Sequence, residues 1–175
     1  EGDVENMPYE VSTFDVAVSM FGAMFAPRPQ LVVSELLRVT RNGGIIAMAN
    51  WTPTSFIGEI FKTIGSFVSP PSIMPSPLLW GDENVIRERF GSQVREIGAR
   101  RRLIAFEFDL EPGDVVSFWR QYYGPTQRAF DALQEKPELQ TKLHQELELL
   151  WNNSNKAKGG RTVVESEYLE VVVSR

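Results

Sequence analysis

The chain has 175 residues, 42% of them apolar and 23% charged, with a formal net charge of -5, a single histidine (His144) and no cysteine. This composition supplies one sizeable core and excludes disulfides, thiolate metal sites and histidine-based metal clusters. The acidic balance argues against a nucleic-acid partner, whose phosphates need a basic surface. No apolar run approaches the ~20 residues of a membrane helix, so no membrane partner is expected and the expected setting is cytoplasmic.

Residues 2–22, GDVENMPYEVSTFDVAVSMFG, open as a polar, acidic loop that empties into an apolar run. Within it 14–20, FDVAVSM, is apolar on both faces, as expected of a central parallel strand covered by helices on each side. The prolines of APRP stand where a first helical turn tolerates them. Val32, Val33, Leu36, Leu37 and Thr40 then recur at helical spacing, and Asn42-Gly43-Gly44 predicts a left-handed stop. Residues 45–51, IIAMANW, read as a second buried strand, so strand, helix and strand make one βαβ unit with an expected right-handed crossover.

Beyond Trp51, residues 55–68 carry Phe56, Ile57, Ile60, Phe61, Ile64 and Phe67 at helical spacing, and SPPSIMPSP follows as a stiff, proline-rich lid loop. Residues 81–90 read as a short helix capped by Asp82, with Glu83 in its first turn. Residues 94–110 are rich in β-formers, and Arg100, Arg101 and Arg102 there read as a solvated strand face. Two helical segments follow, 112–123 and 125–151. The second bears Leu139, Leu143, Leu147 and Leu150 and should break near Pro137. Residues 162–174, TVVESEYLEVVVS, are a final strand, alternating in its first half and solidly apolar in its second.

The acidic loop, the F-D-x-V strand, the helix with its Glu35-to-Arg38-Val39 segment and the Gly-Gly entry into IIAMANW together resemble the second half of a class I S-adenosylmethionine-dependent methyltransferase of the small-molecule type. The match is good over residues 2–51 and rests thereafter on the order of elements. The resemblance implies an α/β, Rossmann-like three-layer sandwich with inserted lid helices, the strands at 14–20 and 45–51 parallel and adjacent, and the strand at 162–174 antiparallel beside its neighbours. It implies a single domain: a core unit over 1–53, an inserted helical lid over 54–92 and 111–155, and late strands over 93–110 and 160–175. The family's glycine-rich cofactor turn is missing, for no G-x-G occurs in the sequence. The expectation is therefore an incomplete domain, made by truncation or processing at a residue that is not Met.

The resemblance assigns Asp3 to accept from the adenine exocyclic amine of S-adenosylmethionine and the backbone of Val4 or Glu5 to pair with a ring nitrogen. A solvated turn in which Asp3 and Asn6 satisfy their own backbone is the alternative reading. Ser19, Met20 and Phe21 end the first strand at its carboxyl edge, where open α/β sheets place ligands. For the acceptor, Trp51, Trp80, Tyr122 and Tyr123 are candidate pocket walls, each also readable as core. No catalytic residue stands out, and His144 reads as a partly exposed structural residue. The expected activity is methyl transfer to a small-molecule acceptor, with the chain inactive alone and S-adenosylmethionine bound weakly or not at all. The expected partner is a second copy or the missing N-terminal half, because an exposed apolar strand edge invites pairing. A non-catalytic, self-associating remnant and an apolar-ligand-binding module are the alternatives.

Overall fold

The computed structural model describes residues 2–69 and 74–175. Residues 70–73, the middle of the SPPSIMPSP segment expected to form a lid loop, lie outside them. Four strands form one sheet in the order β1-β2-β4-β3. β1 (Phe14–Met20) pairs parallel with β2 (Thr40–Trp51), and α1 (Pro29–Val39) connects them. β4 (Thr162–Ser174) pairs antiparallel with β2, and β3 (Glu96–Phe108) lies beyond it. The α/β sheet with its parallel early strands and antiparallel late strand is thus as expected.

Two expectations need correction. α1 ends at Val39, and Thr40 is already extended, so Asn42-Gly43-Gly44 lies inside β2 rather than stopping the helix. The glycines serve a bulge: the register passes from Phe14 opposite Thr40 to Val16 opposite Ile45, absorbing extra residues on β2. Gly43 sits at φ 75°, and a Cβ on Gly44 would stand 2.8 Å from the Asp15 carbonyl oxygen, so both positions exclude ordinary side chains.

The second correction concerns β1, which is an edge strand among the described residues and is not covered on both sides. Paired residues share a face, so Ile46, Met48 and Asn50 of β2 lie on one side with Leu169, Val171 and Val173 of β4, all at most 2% exposed. The apolar stripe of α1, Val32, Val33, Leu36 and Leu37, is buried too. On the opposite side Val16, Val18 and Met20 are 50%, 61% and 62% exposed, with Ile45 at 41%.

The chain divides into two compact units, one of Glu1–Pro53, Ser72–Arg102 and Glu167–Arg175 and the other of Thr54–Pro71 and Leu103–Ser166. The first holds β1, β2, α1, α3 (Glu83–Phe90) and part of β3 and β4. Asp82 caps α3 as expected, its carboxylate accepting from the backbone of Asn84 at 2.8 Å. The second is mostly helical: α2 (Phe56–Phe67), α4 (Pro112–Tyr122), α5 (Gly124–Ala132) and α6 (Pro137–Ser154). The chain breaks before Pro137, because proline cannot continue the preceding helix. Trp151 anchors this unit, with Phe56 at 4.5 Å and Trp119 at 5.2 Å between ring centroids, over the buried Leu143 and Leu147. Among the described residues no helix is long and apolar enough to cross a membrane.

Candidate functional site

The acidic loop is held both by its own bonds and from outside. Internally Asp3 makes a tight turn, with Asp3 Oδ1 accepting from Glu5 N at 2.8 Å and its carbonyl from Asn6 N at 3.0 Å. Two acid–arginine pairs then tie the loop to α1. The Glu5 carboxylate, its side chain only 3% exposed, accepts from the Arg28 backbone N–H and Nε, each at 2.6 Å. Arg28 is the N-cap of α1 and has no side-chain cap of its own, so Glu5 supplies both an acceptor and a negative charge where the helix dipole favours one. Glu35 accepts from Met7 N and from Arg38 Nε, each at 2.6 Å. Arg38 in turn donates to the carbonyls of Tyr9 and Met7 at 2.6 and 2.9 Å. The Arg38 guanidinium holds the Glu35 carboxyl below the ordinary carboxylate range, helped by the Met7 N–H and opposed by burial.

This pinned loop forms one rim of an open groove of about 950 Å³ whose floor is β1. Asp3, Val4, Ser19 and Met20 all line it, beside Val16 and Val18. Two other residues expected at the cofactor stand elsewhere. Glu5 spends its carboxylate on Arg28 and its N–H on Asp3, so it supports the loop. Phe21 has turned from the groove: it sits at φ 58°, a strained conformation for a bulky residue, with its N–H on the Ala49 carbonyl at 2.9 Å. Its ring stacks on Trp51 at 3.9 Å and 12° between planes, and meets Tyr168 edge-on at 5.7 Å. Ser19 Oγ fixes the turn that follows by accepting from Ala23 N at 3.0 Å.

Of the acceptor candidates, Trp51 lies in that aromatic cluster at the carboxyl end of β2, 6% exposed. Trp80 is buried under the Arg89 guanidinium, 4.4 Å from its ring centre, and the next residue, Gly81, lies against the Trp51 carbonyl. Tyr122 and Tyr123 belong to the helical unit. Tyr122 is 65% exposed against Phe118. Tyr123 packs on Trp119 at 4.4 Å, and burial, which leaves its hydroxyl without a hydrogen-bond partner among the described residues, pushes the hydroxyl pKa up. Sequence reasoning missed Arg28, Glu167, Tyr168 and Asn50 as contributors. Asn50, fully buried at the end of β2, has no partner for its amide among the described residues, and no sequence signal marks it.

No G-x-G turn occurs in the sequence. What the groove brings together is the Asp3 carboxylate and the backbone of Val4 at its rim and the apolar surface of Val18 and Met20 on its floor.

Residues 1–48 match the methyltransferase domain family. An uncharacterised protein of Mycobacterium tuberculosis is 32% identical over 148 residues, 84% of this chain and 54% of its own length. The chain thus spans about half the length of such relatives. A phthiotriol/phenolphthiotriol dimycocerosates methyltransferase of Mycobacterium leprae is 34% identical over 58 residues, 33% of this chain and 22% of its own. Among solved structures, the YcgJ protein from Bacillus subtilis covers 99% of this chain and 69% of its own at TM-score 0.54 and 11% identity. A SAM-dependent methyltransferase from Thermotoga maritima covers 99% and 62% at TM-score 0.51 and 12% identity, a likeness of fold. With the parallel β1–β2 pair, the antiparallel β4 and the loop-rimmed groove already in place, residues 1–48 are similar to the methyltransferase domain family, and the chain has the α/β, Rossmann-like fold of the solved methyltransferase it resembles.

Proposed function

We propose that this chain supplies the adenine-end loop and the acceptor side of an enzyme that moves a methyl group from S-adenosylmethionine to a small-molecule acceptor. The observation that carries this reading is the convergence of Asp3, Val4, Ser19 and Met20 on one groove at the carboxyl edge of β1, where open α/β sheets bind ligands. S-Adenosylmethionine supplies an activated methyl group; the protein's part is to hold and orient it. Asp3 keeps a second carboxylate oxygen for the adenine amine, the Glu5–Arg28 and Glu35–Arg38 pairs hold the loop that carries it, and the apolar floor of β1 gives the cofactor a surface to pack on.

The chain by itself carries no glycine turn, so it is inactive alone and binds the cofactor weakly. Titration calorimetry with S-adenosylhomocysteine tests this: a low-micromolar dissociation constant for the 175 residues would overturn the reading of an incomplete site. A longer form that includes a glycine-rich turn should bind, and Asp3→Ala should weaken it by about 1 to 3 kcal/mol, the cost of leaving buried polar groups unpaired. The open edge of β1 is then covered by a strand of another segment or of a second copy, since Val16, Val18 and Met20 expose an apolar ladder. Light scattering at tens of micromolar distinguishes the two: a dimer that Val18→Lys dissociates identifies a second copy, and a monomer identifies another segment.

A further inference from the structure

β1 ends the sheet on one side among the described residues, and the direction of its backbone groups can be read. The Phe21 N–H donates to the Ala49 carbonyl at 2.9 Å, so that peptide points at β2. Backbone groups alternate sides along an extended strand, and the register from Ala17 opposite Ile46 to Met20 opposite Ala49 is unbroken. Ala17 and Ser19 therefore spend their N–H and carbonyl groups on β2, while those of Val16, Val18 and Met20 point away from it. The side chains of Val16, Val18 and Met20 are also the exposed ones. Register extends the apolar patch across the sheet: Val18 stands beside Ala47, and Ala47 beside the exposed Val172. Natural sheet edges are guarded by lysine, proline or an inward charge. Residues 16–20, VAVSM, contain none, and the neighbouring Asp15 is paired with Arg41. The groove of about 950 Å³ follows this edge, its lining running from Phe14 to Met20, so the edge is open.

We propose that this edge takes a second copy of the chain, β1 against β1, antiparallel about a two-fold axis at Val18. A two-fold axis that relates a strand to its own copy in one sheet imposes the antiparallel sense. Val16 then lies opposite the partner's Met20, and Val18 opposite the partner's Val18. Each opposed pair exchanges both of its N–H···O bonds, and these main-chain bonds supply the affinity. Every exposed side chain of the stripe meets another apolar one, and no like charges are opposed. A register centred on Ala17 would instead set Met20 against Phe14, whose half-buried ring already meets Tyr9 edge-on at 4.9 Å. The partner's strand extends the floor of the groove, so the second copy contributes to the site. This names the cover that the methyl-transfer reading above requires for β1, and it rests on that reading for nothing else.

The chain has no cysteine, so single introduced thiols report the register. Val18→Cys sets the two thiols face to face at the axis, and a short bis-maleimide should bridge them readily. In Val16→Cys or Met20→Cys alone the two thiols stand about 13 Å apart along the strand and should bridge at least about tenfold more slowly; mixing those two variants should restore the bridge. Val18→Pro removes an outward N–H and no bond to β2, so it should keep the circular dichroism of the wild type and abolish the dimer in sedimentation. Val18→Lys puts a charge on the same edge and covers the case in which Val18→Pro does not fold. A wild-type monomer at tens of micromolar, bridging as fast in Val16→Cys as in Val18→Cys, or a folded Val18→Pro or Val18→Lys that stays dimeric would each overturn the proposal. Titration with S-adenosylhomocysteine reads the cofactor loop separately, so a failure there is not a failure here.

Discussion

Glu5→Ala is the sharpest test of how the cofactor loop is held. The wild-type carboxylate accepts from the Arg28 backbone N–H and Nε, and its side chain is 3% exposed whereas that of Arg28 is 64% exposed. The arginine head can therefore return to water, and the ion pair itself contributes little once it does. What the substitution cannot restore is the acceptor for the backbone N–H of Arg28, the N-cap of α1, worth about 1 kcal/mol, and the buried packing and charged hydrogen bond around the carboxylate, worth roughly 1 kcal/mol more at this partial burial. A loss of about 2 kcal/mol lowers the melting midpoint of a chain this size by about 4 to 8 °C. Circular dichroism gives that midpoint, and hydrogen exchange at the amides of Glu5 and Asn6, both bonded to Asp3 in the wild type, should accelerate in step. Glu5→Gln, keeping one acceptor, should fall between. A midpoint within about 1 °C of wild type, with unchanged exchange at Asn6, would show that the loop is held by something other than this pair.

Gly81→Ala should cost at least about 3 kcal/mol by urea denaturation, because its Cβ would stand 2.0 Å from the Trp51 carbonyl oxygen and overpack the end of β2; Gly65→Ala, in α2 with nothing within 4 Å, should stabilise by up to about 1 kcal/mol. Glu35 has a folded-state pKa below its unfolded value, so its anchoring of the loop is fully present above the unfolded pKa and is lost as pH falls through the lower folded one. Exchange of the Met7 amide followed downward from pH 6 should show that loss, and Glu35→Gln should exchange fast throughout. Tyr123→Phe removes a buried hydroxyl that has no partner among the described residues and should be neutral or stabilising by about 1 kcal/mol in thermal melts; a clear loss would mean that the hydroxyl is bonded.

The parts of this molecule that are legible in the sequence are those in which a local pattern does one job. FDVAVSM and IIAMANW are apolar runs too short for helices, and Asp82 precedes an acidic first turn, so β1, β2 and α3 fall where they should. Gly43 and Gly44 failed as a helix stop because a positive φ and a missing Cβ serve a strand bulge equally well. Only the register between β1 and β2 decides between the two uses, and register is a property of two segments. The same limit governs the site. Ser19 and Met20 can be named because they end a strand at its carboxyl edge, whereas Asp3, Val4 and Glu5 are named only by the resemblance, and nothing in EGDVEN says that Arg28 waits 23 residues on for Glu5.

Glu167 and Tyr168 are the intermediate case. TVVESEYLEVVVS shows a change from alternation to a solid apolar run, and at that change burial along β4 passes from Thr162, Val164 and Ser166 to Leu169, Val171 and Val173. Because the β2–β4 register runs on without a break, with Tyr168 opposite Trp51 and the Glu167 carbonyl accepting from Thr52 N, the strand itself stays regular and the covered face changes. Which face is covered is decided by what packs on it, and no single segment of sequence states that.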